Sequence, residues 1–479
     1  MNDEYEVVIG LETHAELSTE SKIYCSCKNK FGIEVNTEVC PICMALPGTL
    51  PTLNERVVEY AIKMGHALNC KINRVCKQDR KNYFYPDLPK AYQISQSDVP
   101  LCENGYVDIL VNGESKRIGI TRIHIEEDAG KLLHATSFEG SSLVDLNRCG
   151  VPLIEIVSEP DMRSSAEAKA YLETLKSILS YLDICDCKMQ EGSIRCDVNV
   201  SVHKKGTPFG TRTEMKNVNS FSAAVRGIEY EQKRQIAALE AGETVVQETR
   251  RWDDAQGVSV SMRTKEDAHD YRYFPEPDLL TISVDEKRVE ELKAQIPELP
   301  TQKILRYVQK LGLPQQDATI IAENVDLANF FDECTQKGGA SPKIAANWLL
   351  GDISKYLNET GKTLGETKLT PEKMSELIGY IEKNTISTAS GKKIFEIIVA
   401  EDKPIKQLID DMGLAQVSDT SELEALADKV LAENEPSVTS YKNGKTNALG
   451  YLVGQCMKAS KGKANPGMMK EIILKKLGE

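Results

Sequence analysis

Four cysteines fall in two close pairs, Cys25-Ser-Cys27 and Cys40-Pro-Ile-Cys43, with twelve residues between the pairs. Two thiolate pairs joined by a short loop have the spacing of a tetrahedral Zn²⁺ knuckle, a closed and structural kind of site. Four unligated loop thiols are the alternative. Cys185-Asp-Cys187 is a further close pair. With no partner pair nearby, it reads as buried thiols.

Carboxylates make the second constellation. The stretch VVIGLETHAEL alternates, so Val7, Ile9 and Leu11 share one face of a strand while Glu12, His14 and Glu16 share the other. Taken alone, this is equally a half-buried strand with a solvated polar face. Further acids lie in similar runs: Glu126, Glu127 and Asp128 after Ile125, Glu155 in PLIEIV, Asp197 in RCDVN and Glu214 in RTEMKN. A carboxylate inside an apolar strand is costly to bury unless it is paired or bound to a metal. Several such strands together suggest an oxygen-rich pocket for Mg²⁺, which takes one or two carboxylates plus water and substrate phosphates. The interspersed Lys81, Arg122, Arg148 and Lys216 would answer the phosphates.

The third constellation is DRKNYFYPD, residues 79–87, echoed by DYRYFPEPD at 270–278. Aromatic and basic residues interleaved in this way can stack bases and hold phosphate, or simply pack a loop. There is no Walker A sequence, no G-x-S-x-G elbow and no HExxH.

These residues need elements to position them. Residues 1–294 mix short β-branched runs (6–17, 105–111, 117–125, 195–202) with helical patterns at 54–68, 165–182 and 222–241. This predicts an α+β fold, a large sheet-based cradle. From 295 to 405 the pattern is helical with Gly and Pro punctuation, and 406–479 reads as a small helical module. Three domains suit 479 residues. The chain carries a net charge of −13, which argues against nucleic-acid binding by the whole surface. From Ser440 onward, however, eight lysines face two acids, Glu471 and Glu479, a local net of +6. The N-terminus lacks the basic and apolar regions of a signal peptide, and no apolar run reaches the roughly 18 residues of a membrane span. The 13 cysteines suit metal ligands and buried thiols better than disulfides, so a cytoplasmic protein away from membranes is expected.

Long stretches in one order resemble a known family. They are VVIGLETHAEL, DRKNYFYPDLPKAYQISQ, GITRIHIEEDAGK, DLNRCGVPLIEIVSEPD, EGSIRCDVNVS, GTRTEMKNVNSF, HDYRYFPEPDL and YKNGKTNALGYLVGQCMKASKGKANP. From about residue 5 to the C-terminus the chain is similar to the GatB family, the B subunits of the Glu-tRNA(Gln)/Asp-tRNA(Asn) amidotransferases. The resemblance implies a cradle domain with a kinase site, a helical domain and a YqeY-like tail. It implies ATP and Mg²⁺ as requirements, and phosphorylation of the side-chain carboxylate of mischarged Glu-tRNA(Gln) or Asp-tRNA(Asn). It also implies two partners: an amidase (GatA) that delivers ammonia through a channel, and a small protein (GatC). By matching position, Glu12, His14, Glu127 and Glu155 are expected to hold Mg²⁺. Glu126, Asp197 and Glu214 are expected beside them or on the nucleotide side, and Lys81 by the substrate and the channel mouth. The knuckle, variable in that family, is expected to hold structural zinc here. The basic tail is expected to grip the tRNA backbone. A non-catalytic tRNA-binding adaptor and a standalone ATP-dependent ligase are the other classes the residues allow.

Overall fold

The structure, a computed structural model, describes residues 4–134, 142–264, 270–416, 420–443, 445–460 and 464–478. It divides into two compact units, Met1–Lys303 and Ile304–Glu479, with the division inside the helix Pro300–Gln309.

The first unit is built on a nine-stranded sheet. Its strands are β1 (Tyr5–Glu16), β2 (Lys71–Ile72), β3 (Cys102–Val111), β4 (Glu114–Glu127), β5 (Pro152–Ser158), β6 (Ile194–Lys204), β7 (Thr213–Val218), β8 (Glu248–Asp253) and β9 (Val258–Thr264). Their spatial order is β9-β8-β7-β6-β1-β5-β4-β3-β2. Every pairing is antiparallel except β7 with β8. Three helices pack on the sheet: α1 (Glu55–Ala67), α2 (Ser165–Tyr181) and α3 (Phe221–Glu240). Asn54, Ser164 and Ser220 start them, each side chain accepting from a backbone N–H of the first turn.

β1 lies mid-sheet, and its alternation sorts the two faces. Val7, Ile9 and Leu11 join Ala61, Leu172, Leu175 and Ala223 in one buried core beneath the helices. Glu12, His14 and Glu16 therefore project to the other side. Two irregularities re-aim neighbouring strands. In β4, Val157 of β5 faces Arg122 while Ser158 faces Ile120, so Thr121 is an extra residue. In β7, Cys196 of β6 faces Val218 while Val198 faces Met215, and Asn217 adopts the left-handed region with φ 66°. Both are β-bulges, devices that rotate the side chains beyond them.

A buried ion cluster fastens α3 to the sheet edge. Glu231, fully buried, accepts from Arg234 at 2.9 Å, lies 3.2 Å from Arg250 and accepts from Ser259. Burial raises the cost of its charge, but the Arg234 and Ser259 hydrogen bonds hold its carboxyl below the ordinary glutamate value. Because the folded value is depressed, its contribution is fully present above the ordinary carboxyl range and is lost as pH falls through the depressed value. Glu231→Ala is expected to cost about 3–5 kcal/mol, since it breaks a buried ion pair and leaves Arg234 and Arg250 to share Glu248. Urea denaturation at neutral pH checks this, and the wild-type advantage should shrink in acid.

A smaller three-stranded sheet (Phe274–Pro275, Asp79–Asn82, Tyr92–Ser95) carries the aromatic-basic segments. Asn82 donates to the carbonyls of Tyr271 and Arg272, which ties residues 79–87 to 270–278.

The second unit is helical. Tyr307 and Phe331 meet edge to face at 4.9 Å, and Arg306 pairs with Asp332 at 2.9 Å. Toward the C-terminus, helices Thr420–Glu433, Glu435–Lys442, Asn447–Ala459 and Pro466–Leu477 gather around a core of their own, including Leu423, Val430, Leu452, Cys456 and Ile473.

Candidate active site

The exposed face of the sheet gathers acids from five strands. Across the ladder His14 stands opposite Glu155, and Glu155 opposite His124; on the other side Glu12 stands opposite Asp197, and Asn199 opposite Glu214. A cavity of about 450 Å³ opens over them, lined also by Lys81, Arg122, Arg212, Lys216, Tyr271 and Tyr273.

Two clusters share this floor. In the first, His14, Glu126 and Glu155 bring ligand atoms within 4.8 Å of one another. His14 Nε2 lies 3.4 Å from Glu155 and 3.7 Å from Glu126. Burial pulls the His14 imidazole down, but the hydrogen bond and charge of Glu155, with the charge of Glu126, outweigh it and lift the value to about 9. The second cluster is Glu12, Asp197 and Glu214, also within 4.8 Å. Asn199 donates to Glu12 at 2.9 Å, and Thr249 to Glu214 at 2.8 Å. Lys216 lies 2.6 Å from Asp197 and 3.0 Å from Glu214. Burial, then the charge of Glu155, raises the Glu12 carboxyl above its ordinary value. Glu12, with a further acid on each side, is thus undercompensated by the protein's own cations, an environment that a hard dication with oxygen ligands would relieve.

Lys81 enters from the small sheet, its ammonium 5.0 Å from the Tyr271 ring and 5.9 Å from Tyr83. Burial lowers its value, yet Glu126 and other neighbours raise it further, so the charge is retained.

Two expected residues are placed elsewhere, and two that line the cavity are already committed. Glu127 does not join the cluster. It continues the Ile123–Ile125 side of β4, accepts from Lys90 and from the Ile94 amide at 3.0 Å, and lines a separate cavity with Tyr24, Cys25 and Cys43. Glu126, one residue earlier, occupies the cluster position instead, because successive strand residues point to opposite faces. Arg148 is also elsewhere. It donates to the carbonyls of Ala129 and Gly130 and lies 3.6 Å from Asp128, beside Glu16 and Arg195. Arg122 does border the cavity, but its guanidinium is committed to the carbonyls of Gln96 and Ser97 and to His124 Nδ1. Lys216 is likewise spent on two carboxylates. Arg212 was missed by sequence reasoning; it makes no hydrogen bond or ion pair with another described residue. His124 and Asn199 were missed as well. Their signal was parity: each shares a strand face with an acid already singled out.

The four knuckle thiols converge within 4.8 Å. Cys40 and Cys43 sulfurs are 3.8 Å apart, the edge of a tetrahedron with Zn–S bonds of about 2.3 Å. Lys22, 1% exposed, puts its ammonium 3.8 Å from Cys43 Sγ and 2.8 Å from the Glu38 carbonyl. A buried ammonium requires negative partners, and thiolates supply them.

Comparison with known proteins agrees with this architecture. Residues 7–290 match the family model described as the GatB/GatE catalytic domain, and residues 329–477 match that described as the GatB domain. Among curated relatives, the aspartyl/glutamyl-tRNA(Asn/Gln) amidotransferase B subunit of Caldicellulosiruptor bescii is 57% identical over 478 residues, covering 99% of each chain. The protein of the same name from Thermoanaerobacter pseudethanolicus is 56% identical over 476 residues, 99% of this chain and all of the relative. That of Clostridium botulinum strain Loch Maree is 52% identical over 472 residues, 98% of each. The chain belongs to the family of aspartyl/glutamyl-tRNA(Asn/Gln) amidotransferase B subunits. Among the described residues no helix is long and apolar enough to cross a membrane.

Proposed function

We propose that this chain activates the side-chain carboxylate of glutamate mischarged on tRNA(Gln), or aspartate on tRNA(Asn), by phosphoryl transfer from ATP, and then presents it to ammonia. The observation that carries this reading is the pair of acid clusters facing one cavity with Lys81 and Arg212 at its wall. A carboxylate resists ammonia because its oxygen is a poor leaving group. In the reaction one carboxylate oxygen bonds to the γ-phosphorus as the bond to ADP breaks. Ammonia then attacks the acyl carbon, inorganic phosphate departs, and a proton is released from nitrogen.

Such transfers depend on positioning and electrostatics more than on covalent chemistry by the protein. His14, Glu126 and Glu155, and Glu12, Asp197 and Glu214, would hold Mg²⁺, which when bound neutralises phosphate charge. Lys216 keeps Asp197 and Glu214 together. Lys81 and Arg212 keep donors for phosphoryl oxygens. Tyr271 and Tyr273 give the substrate an aromatic wall. Arg212→Ala is expected to lower kcat/KM for ATP about tenfold to a hundredfold, the worth of one charge-assisted hydrogen bond. ATP titrations at saturating tRNA check it.

Three parts would divide the work: a catalytic cradle over 1–294, a helical part over 295–405 and a tRNA-gripping tail over 406–479. The tail's lysines supply a salt-sensitive hold on the tRNA backbone that the acidic chain as a whole does not. The four cysteines would hold structural zinc. Partners would be the amidase GatA, which supplies ammonia, and the small protein GatC, all in the cytoplasm.

The test is ATP-dependent amidation of Glu-tRNA(Gln) and Asp-tRNA(Asn) by the purified chain, with ammonium chloride and then glutamine as donor, in isolation and with GatA and GatC. Turnover that needs those partners only when glutamine is the donor is expected. An intact, metal-loaded complex that turns over neither tRNA would favour the adaptor class instead.

A further inference from the structure

Two histidines face the same two carboxylates, and their second nitrogens differ. His14 Nε2 lies 3.4 Å from Glu155 and 3.7 Å from Glu126; His124 Nε2 lies 3.3 Å and 3.7 Å from the same residues. By distance alone the rings are equivalent. The Nδ1 of His124, however, is 3.2 Å from Arg122 Nε. A guanidinium N–H can only donate, so this Nδ1 must accept. The neutral ring then carries its proton on Nε2, aimed between Glu155 and Glu126. A nitrogen that bears a proton has no lone pair for a cation.

Arg122 is itself immobilised. It donates to the carbonyls of Ser97, at 2.6 Å, and of Gln96. The Gln96 side chain in turn accepts from the Ile125 amide at 3.1 Å and donates to the Lys77 carbonyl at 3.0 Å. The ring it orients is 3% exposed. Among the described residues, none places a comparable restraint on the ring of His14, and a cation arriving at its Nε2 would displace the proton held there.

We propose that His124 is a positioning residue that donates a hydrogen bond to Glu155, beside Glu126, rather than a ligand, and that Arg122 fixes it in this role through Nδ1. This rests on the reading that His14, Glu126 and Glu155 hold a divalent cation. The two histidines thereby divide the labour: one binds the ion and the other holds the carboxylates that bind it. Partners of this kind, one step removed from a metal, alter its affinity about tenfold to a hundredfold when changed.

The probe is Mn²⁺ added to the full chain, with binding titrated by electron paramagnetic resonance and bound nitrogens counted by electron spin-echo modulation. One histidine nitrogen is expected in the wild type, lost in His14→Ala and kept in His124→Gln with Mn²⁺ bound more weakly. In Arg122→Met, the His124 proton is free to move to Nδ1, so weaker binding or a second nitrogen signal is expected. Loss of the signal in His124→Gln would overturn the proposal by making His124 the ligand. Arg122→Met with unchanged affinity and a single nitrogen would overturn the role of Arg122. No Mn²⁺ binding by the wild type would instead remove the metal reading beneath it.

Discussion

Replacing Glu155 with alanine is expected to lower ATP-dependent amidation about a thousandfold, the scale on which a charge-stabilising group acts at a reacting centre. Glu155 is the hub of the floor. It stands between Ile154 and Ile156, both fully buried, touches His14 and His124, and is the largest electrostatic influence on Glu12 after burial itself. Its own carboxyl is held well below the ordinary value, since the two histidines outweigh the burial that opposes its charge. Alanine removes an anchor of the first cluster and frees both rings. Amidation of Glu-tRNA(Gln) with ammonium chloride is the appropriate readout, because it bypasses any defect in ammonia delivery. Circular dichroism shows whether the fold is retained. A folded variant keeping more than about a tenth of the rate would contradict a role in transition-state stabilisation.

The second large effect concerns the knuckle. Cys43→Ser is expected to take the chain from about one zinc to none, because a structural site of this type is closed and needs all four thiolates. Metal analysis by mass spectrometry of the purified chain measures it directly. Loss of the ion would leave Lys22 buried against a hydroxyl and a carbonyl, with its strongest negative partner gone. The segment 22–43 should therefore open locally, becoming cleavable by trypsin at Lys22, Lys28 and Lys30 while the large sheet stays folded. Zinc retained at full stoichiometry in Cys43→Ser would show that the thiols do not form one site.

Much of this was legible in the sequence, and the reasons are local. The alternation of VVIGLETHAEL suffices to place Glu12 and His14 on one face of β1, because that strand runs without a bulge. Cysteine spacing suffices for the knuckle, because the loop is short. β4 is different. Glu127 was expected by matching position in the family, and alternation counted from Ile118 and Ile120 does not correct it, since it sends odd-numbered residues to the exposed face. The extra residue at Thr121 reverses the count, so Ile123 and Ile125 turn inward and Glu126 turns out. Arg122 and Arg148 were legible as cations but not as cations already spent on backbone carbonyls, which are partners that sequence pattern does not reveal. Arg212 shows the converse: its unspent donors are evident only once the neighbouring side chains are placed.

The two bulges, at Thr121 and near Asn217, imply an unusual tolerance profile for the gene. Loss of one codon inside a regular strand flips every side chain beyond it, whereas loss of the extra residue at either bulge should keep each side chain on its own face. Deleting Thr121 would remove the bulge yet keep the facing, with Arg122 next after Ile120 on the outward side, Ile123 and Ile125 still inward and His124 and Glu126 still outward. Shortening the chain at Asn217 would likewise bring Val218 directly after Lys216, with Met215 and Val218 inward and Lys216 on the side of Asp197 and Glu214. A deletion scan should therefore show two narrow tolerant points in strands that otherwise reject the loss of a residue.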